Sequence, residues 1–143
     1  MRTVMPFAVR YAETDMMGVV HHANYLLYLE DARTDFLEKI GFPYARIERE
    51  GLMSPVVDLQ CSYGRPLVYG DRPLVRTRVV LNGQAKTVYA YEIFKSEVDL
   101  AAEKPCCTAS STHCVVEAAT FRPVSIKRRL PELYARYLDV LEP

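Results

Sequence analysis

The sequence has no long hydrophobic run and no excess of either charge. No apolar stretch approaches the roughly 18 residues that a membrane-spanning helix needs, and the N-terminal segment MRTVMPFAVRYAET lacks the apolar region of a signal peptide. Lysine plus arginine (18) equals aspartate plus glutamate (18), and no basic stripe is interleaved with aromatic residues, which argues against nucleic acid as the main partner. We therefore expect a soluble cytoplasmic protein with no membrane span and no nucleic-acid partner.

The residues that commonly hold metals or form disulfides are also sparse. The adjacent His21 and His22 have no third ligand at a suitable spacing, so we expect neither zinc nor any other cofactor. In a reducing compartment the cysteines are expected to be free core thiols. There are four of them: Cys61, Cys106, Cys107 and Cys114.

No internal repeat or low-complexity tract divides the chain. Its 143 residues, half of them hydrophobic, are enough for one sizeable core. We expect a single domain spanning residues 1–143.

The stretch from Tyr11 to Gly41 combines a polar loop with a long amphipathic segment. Apolar residues recur at helical spacing after the loop and predict a helix over residues 24–40. Asn24 is a favoured residue type for the N-cap. Gly41 and Pro43 mark the end of the helix.

Extended segments follow this helix and favour an antiparallel sheet. Alternation of apolar and polar residues predicts half-buried strands at 54–65 and 74–81, and Asn82-Gly83 predicts a hairpin into a strand at 86–94. Small side chains in the predicted strand 104–118 suit close approach to either the long helix or a neighbouring subunit. A first strand at 3–10, a short connector at 44–50 that is too charged to join the core, and an amphipathic helix after Lys127 complete the prediction.

A sheet of about five strands buries one long helix most simply by curling around it, which gives an α+β architecture. Such a sheet leaves edge strands exposed, and proteins commonly cover these edges with another copy of the chain. We expect a homodimer at least.

The polar loop and the start of the helix read Y-x3-D-x2-G-V-V-x-H-x-N-Y, formed by Tyr11, Asp15, Gly18, Val19, Val20, His22, Asn24 and Tyr25. Together with the order of elements, this pattern resembles the hotdog-fold acyl-CoA thioesterases of the 4-hydroxybenzoyl-CoA thioesterase group. Within that group it looks closest to the branch associated with the bacterial Tol-Pal gene cluster. The similarity continues to about Ile126, while His21, Met16 and Met17 depart from the pattern.

This resemblance implies a hotdog fold and hydrolysis of an acyl-CoA thioester at a site shared by two subunits, in dimers that often pair into tetramers. Its catalytic carboxylate maps onto Asp15, and the accompanying tyrosine and histidine map onto Tyr11 and His22. The residues expected to contact substrate are Gly18, Val20, Asn24, Tyr25, Val57 and Tyr63.

The chemistry of these residues leaves alternatives open. Asp15 can attack the thioester carbonyl to form a mixed anhydride, or it can act as a general base on water. Backbone N–H groups at or just after His22 are natural donors to the oxyanion. The His22 side chain either orients Asp15 or the substrate, or only its backbone amide matters. Tyr11 either contributes to catalysis or is a half-buried packing residue at the end of a strand.

Other residues have structural interpretations beside the functional ones. Val57 and Tyr63 line the acyl pocket or belong to the core, Glu30 is expected to hydrogen-bond a neighbouring loop, and His113 is expected to be a core or interface histidine. Candidates for binding the CoA phosphates are Arg65, Arg72 and the Lys127–Arg129 cluster.

Two other functions fit the same fold. A hydratase is disfavoured because the Gly-Asp-x-Asn-Pro core known for that class is missing. The remaining alternative is a non-catalytic module that binds acyl-CoA or an acyl carrier.

Overall fold

A five-stranded antiparallel sheet lies against one long helix in the computed structural model, which describes residues 1–143. The strands are β1 (Thr3–Pro6), β3 (Val56–Tyr63), β4 (Leu74–Asn82), β5 (Thr87–Phe94) and β6 (Cys107–His113), in the order β1-β4-β5-β6-β3. A small second sheet has the order β2-β7-β8, formed by β2 (Leu52–Met53), β7 (Val115–Glu117) and β8 (Pro123–Val124). The helices are α1 (Asn24–Lys39), α2 (Tyr44–Arg49), α3 (Glu97–Ala101), α4 (Ile126–Arg129) and α5 (Pro131–Val140).

Alternation along β4 decides which face of the large sheet receives α1. Val75 and Val79 are completely buried in the same core cluster as Phe36 of α1, while the intervening Arg76 points to the opposite face. The Phe36 ring meets Tyr89 of β5 edge-on, with centroids 5.8 Å apart. The predicted α+β arrangement, a curved antiparallel sheet around one helix, is confirmed.

The bounds of α1 agree with the prediction to within one residue, but its N-cap does not. Ala23 occupies the N-cap position and provides no side-chain cap. Asn24 is the first helical residue, and its amide Nδ2 donates instead to the carbonyl of Glu13 at 2.9 Å. The helix therefore begins without a side chain covering its N-terminal N–H groups.

The strand at the sheet edge is more exposed than expected. Strand β3 pairs only with β6, and most of its residues are exposed rather than half-buried. A register shift between Val56 and Asp58 marks a β-bulge at Val57. One edge of the sheet therefore presents a long row of unpaired backbone groups next to exposed apolar side chains.

Several other boundaries differ from the prediction. The predicted strand at 104–118 breaks at Cys114, where the chain leaves the large sheet and enters the small one. The first strand ends at Pro6, and the connector α2 does join the core, because Ile47 is buried. Asn82 pairs with Thr87, so the hairpin loop comprises residues 83–86, one residue later than the predicted strand bounds imply.

The C-terminal helical region is divided in two, with Pro131 as the first residue of α5. All four cysteines are free, and the sulfurs of Cys61 and Cys107 lie 3.4 Å apart. None of the helices combines the length and apolarity needed to cross a membrane.

Candidate active site

Asp15 lies in a tight loop between a short 3₁₀ turn (Tyr11–Glu13) and α1. Its backbone N–H donates to the carbonyl of Val19, and its carbonyl accepts from Gly18, both at 3.0 Å. Gly18 has a φ of +77°, which favours glycine at this turn. The carboxylate oxygen Oδ1 accepts from the N–H of Met17 at 2.9 Å, an Asx-turn contact, and the other oxygen has no partner in the chain. One oxygen of Asp15 thus holds the loop, and the other is free.

Buried Glu13 anchors this loop to the helix, a role that the sequence analysis missed. Its carboxylate accepts from the Tyr28 hydroxyl at 2.9 Å and from the N–H of Arg10 at 2.8 Å. Its carbonyl accepts from the N–H of His21 and from Asn24 Nδ2. Burial raises the pKa of Glu13, but the hydrogen bonds from Arg10 and Tyr28 outweigh it, so the pKa lies below its ordinary value.

The approach to α1 leaves one backbone donor unpaired. From Val20 to Leu26, every backbone N–H except that of His22 has an acceptor within the chain. The amide of Ala23 is already used by the His21 ring, whose Nδ1 lies 3.2 Å away. The His22 N–H sits just before the positive end of the α1 dipole, so it is placed to donate to a developing oxyanion.

Tyr63 connects strand β3 to the backbone of His22, just before α1. Its hydroxyl donates to the carbonyl of His22 at 2.9 Å, and its ring stands edge-on to both Tyr25 and His22. The structure therefore brings Tyr63 and His22 together. The His22 ring is exposed, stacks on His21 at 4.2 Å and makes no hydrogen bond to Asp15.

Tyr11 lies differently from the prediction. It begins the 3₁₀ turn instead of ending a strand, and it is 76% exposed, so the expectation of a half-buried tyrosine was wrong. Its ring packs edge-on against exposed Tyr69 at 5.7 Å, and its hydroxyl makes no hydrogen bond. Met16 and Met17 are exposed beside it in the sequence.

The other predicted substrate contacts divide between core and surface. Val20 and Tyr25 are buried in the core, where the Tyr25 hydroxyl accepts from the N–H of Leu67 at 3.1 Å. Asn24 uses its amide to hold Glu13. Val57 is exposed at the bulge of β3.

A cavity of about 230 Å³ lies between α1 and β3. Its apolar wall is formed by Leu26, Leu27, Leu29, Val56 and Leu59. Polar groups complete the lining: Glu30, Arg33 and Ser111. The β3 residues that line the cavity are therefore Val56 and Leu59, and not the predicted Val57 and Tyr63.

Glu30, His113 and the possible metal ligands were also considered from the sequence. The Glu30 carboxylate makes no hydrogen bond to a loop; its nearest charged neighbour is Arg33, at 3.9 Å, so that expectation was wrong. His113 is a buried core histidine, as predicted. The structure contains no cluster of three or more His, Cys, Asp or Glu side chains that could hold a metal.

The basic residues considered for CoA differ in their availability. Arg65 pairs with Asp99 at 3.3 Å and Arg129 with Glu117 at 2.6 Å. Arg72, Lys127 and Arg128 have no carboxylate partner, although the Lys127 ammonium lies over the Tyr134 ring.

A family model described as the thioesterase-like superfamily matches residues 9–136. The chain belongs to this superfamily. Membership places the protein among the thioester hydrolases.

Individual relatives of this thioesterase-like chain agree with the assignment. It is 40% identical over 129 residues to the putative acyl-CoA thioesterase YneP of Bacillus subtilis, covering 90% of each chain. It is 29% identical to a 1,4-dihydroxy-2-naphthoyl-CoA hydrolase of Picosynechococcus, covering 82% of each. The structure of a DHNA-CoA thioesterase from Staphylococcus aureus matches with a TM-score of 0.90 and 34% identity, covering 97% of this chain and 90% of that one. The predicted hotdog fold is confirmed.

Proposed function

We propose that this protein hydrolyses an acyl-CoA thioester to a free acid and CoA. The proposal is carried by two groups in the segment between the 3₁₀ turn and α1: the Asp15 carboxylate, which has one free oxygen, and the His22 backbone N–H, which has no acceptor within the chain. Hydrolysis of a thioester needs a nucleophile or activated water and a donor for the carbonyl oxygen. These two groups supply both needs.

In the proposed reaction the free oxygen of Asp15 acts at the thioester carbon. It either attacks directly to form a mixed anhydride, which water then opens, or removes a proton from an attacking water. In the general-base route the carbon–sulfur bond breaks as Asp15 passes the water proton to the departing CoA thiolate. In the anhydride route the thiolate leaves first, and water then cleaves the anhydride to give the free acid and restore the Asp15 carboxylate; the released proton protonates the thiolate. The Asx turn through Met17 orients the carboxylate in either route.

The His22 N–H is proposed to stabilise the negative charge on the carbonyl oxygen. It is free of competing acceptors, and it precedes the first turn of a sixteen-residue helix whose dipole reinforces the donor. Tyr63 holds the carbonyl of His22, which belongs to the next peptide unit along the chain, and so restrains the backbone on one side of the His22 N–H. Loss of one such donor typically costs about 3 kcal/mol of transition-state stabilisation.

The active form is proposed to be a homodimer joined through β3. This strand has a free edge, and exposed apolar side chains lie along it and along the start of α1: Leu26, Leu27, Val56 and Val57. Two copies of one strand pair antiparallel across a two-fold axis, which makes the surface self-complementary. The partner would also close the open side of the cavity between α1 and β3. The tetramer implied by the family resemblance remains a further step of the same proposal.

A CoA thioester is the proposed substrate class because relatives are named as acyl-CoA and 1,4-dihydroxy-2-naphthoyl-CoA thioesterases. The 4-hydroxybenzoyl-CoA thioesterase group, and its Tol-Pal-associated branch, is the finer assignment that the loop pattern favours. Arg72, Lys127 and Arg128 are proposed for the CoA phosphates, since they are not neutralised by carboxylates within the chain.

Release of free thiol from a panel of short, long and aromatic acyl-CoA esters tests the proposed function. We expect a thiol reagent to detect turnover above the uncatalysed rate with at least one ester. Tight binding of the esters without thiol release would instead identify a non-catalytic acyl-CoA-binding module. Addition of water to an enoyl-CoA would identify a hydratase.

A further inference from the structure

Arg33 is a largely buried cation with few partners. Its side chain is 13% exposed. One hydrogen-bond contact is long, 3.4 Å from Nη1 to His113 Nε2, and a second involves the Tyr91 hydroxyl. The only carboxylate neighbour of Arg33 is Glu30 at 3.9 Å, which is itself mostly exposed. A guanidinium has five N–H donors, and a desolvated charge is costly unless it is paired and hydrogen-bonded. Arg33 therefore has N–H donors without acceptors in a largely buried position, where unpaired donors are uncommon.

The groups behind Arg33 do not neutralise it. Ser111 Oγ lies 2.7 Å from His113 Nε2 and 2.8 Å from the Tyr91 hydroxyl, and all three side chains are buried. Burial, together with the nearby Arg33 charge, lowers the pKa of His113 to about 4, so this histidine is neutral at pH 7. Ser111, His113 and Tyr91 thus form a neutral hydrogen-bonded cluster, and the Arg33 guanidinium beside it carries the only charge.

Arg33 and Ser111 line the same cavity as the apolar side chains of α1 and β3. The space is thus mainly apolar, and its polar lining consists of the Arg33 guanidinium, the Ser111 hydroxyl and the Glu30 carboxylate, which is the most solvent-exposed of the three. A ligand that matches it has an apolar body and an oxygen acceptor at its far end. A wholly apolar acyl group would leave the guanidinium desolvated without a partner.

The position of Arg33 along α1 gives the length of that ligand. Eleven residues separate His22 from Arg33, which corresponds to roughly 16 Å along a helix. Helical side chains lean toward the N-terminus, so the guanidinium stands on the order of 10 Å from the level of His22. A medium-length acyl chain or a two-ring acyl group spans such a distance. The cavity lining begins at Leu26, one turn beyond His22.

We propose that Arg33, with Ser111, forms a subsite that recognises an oxygen at the far end of the acyl group, a carboxylate best and a hydroxyl next. The inference rests on the proposed function and adds to it the chemical class of the acyl group. Arg33 is the specificity-determining residue of this subsite and takes no part in breaking the thioester.

Three esters of equal chain length test the subsite: octanoyl-CoA, its ω-hydroxy derivative and its ω-carboxy derivative. Because a charge-assisted hydrogen bond contributes about 1.5–3 kcal/mol, we expect kcat/KM of the wild type to be about tenfold or more higher for the ω-carboxy ester than for octanoyl-CoA. Arg33→Met is expected to abolish this preference by lowering kcat/KM for the ω-carboxy ester and raising it for octanoyl-CoA, since methionine removes the charge that an apolar chain leaves without a partner. Arg122→Met, at an exposed arginine with no ion pair, is the matched control and should keep the preference.

Two results would contradict the proposed subsite. Equal or better hydrolysis of octanoyl-CoA by the wild type contradicts it, and so does an equal loss for all three esters in Arg33→Met, which marks Arg33 as structural. If Arg33→Met does not fold, Arg33→Lys replaces it; partial retention of the ω-carboxy preference supports the subsite, and no change in that preference contradicts it.

Binding of the corresponding non-hydrolysable thioether analogues separates this inference from the proposed reaction. Absence of thiol release from every ester refutes the hydrolase. The subsite is then judged by dissociation constants alone: tighter binding of the ω-carboxy analogue supports it, and equal binding of all three contradicts it.

Discussion

The hydroxyl of Tyr63 donates a 2.9 Å hydrogen bond to the backbone carbonyl of His22 and thereby ties the sheet edge to the segment just before the long helix. The same peptide region carries the unpaired N–H that we assign to the oxyanion. A strand at the surface of one chain is therefore coupled directly to the proposed catalytic loop. Occupation of that edge by a partner subunit would act on the same contact.

Tyr63→Phe removes this hydrogen bond and keeps the ring. We expect the free energy of unfolding to fall by about 1 kcal/mol, because that is the usual net contribution of such a bond, and we expect kcat to fall severalfold as the His22 peptide loosens. Denaturant unfolding and steady-state kinetics measure the two effects. Tyr69→Phe, at an exposed tyrosine whose hydroxyl makes no hydrogen bond, is the control; equal losses in both variants would refute the positioning role of Tyr63.

The backbone and side chain of His22 are predicted to differ in importance. His22→Ala keeps the N–H, and we expect most of the turnover to remain because the ring makes no hydrogen bond to Asp15. His22→Pro removes the donor, and we expect a loss of roughly 10²–10³ in kcat. Circular dichroism checks that the proline variant folds, since proline is tolerated near a helix N-terminus. A large loss in His22→Ala, equal to that in His22→Pro, would assign the role to the imidazole instead.

Glu13→Gln tests the anchor of the loop through its pH dependence. The pKa of Glu13 is lowered in the folded protein, so the stability that its ionised form contributes is present above the unfolded-state pKa and is lost as pH falls through the folded-state pKa. We expect the wild type to be more stable than the variant at pH 7 by about 1–2 kcal/mol. This difference should shrink as pH falls below the ordinary carboxyl value of 4.5. Unfolding curves at several pH values measure it, and a difference independent of pH would contradict the assignment.

The proposed dimer surface is tested with Leu27→Glu. Leu27 is 51% exposed, and a carboxylate there would be buried without a partner in the dimer. We expect light scattering to give the mass of a monomer and thiol release to be lost. Leu138→Glu introduces the same charge at a similarly exposed leucine on α5 and should change neither. A wild-type protein that is already monomeric and active would refute the shared site.

The long helix and the paired strands were predictable because their signals are local. Gly41 and Pro43 mark the end of α1, and the alternation through Val75, Thr77 and Val79 gives the buried face of β4. The small sheet was not predicted, since strands of two or three residues are too short to show a period. Asn24 was assigned as the cap because its residue type favours that position, but the Glu13 carbonyl competes for its amide.

The site was predictable only in part, for a similarly physical reason. Asp15, His22 and Tyr63 come from the loop pattern and from strand alternation. The wall of the cavity was misassigned because the bulge at Val57 adds one residue to β3, so that Val56 rather than Val57 joins Leu59. Arg33 and Ser111 meet only in the folded chain, and the sequence gives no sign of their contact with one cavity.

The turnover number of Asp15→Asn tests the central claim most directly. Asparagine keeps the oxygen that accepts from the Met17 N–H, so the loop is expected to stay folded while the carboxylate is lost. We predict a fall in kcat of about a thousandfold or more with ester binding retained, and no change in Asp139→Asn, a matched substitution at an exposed aspartate on α5. A folded Asp15→Asn protein that releases thiol at the wild-type rate would contradict the proposed mechanism.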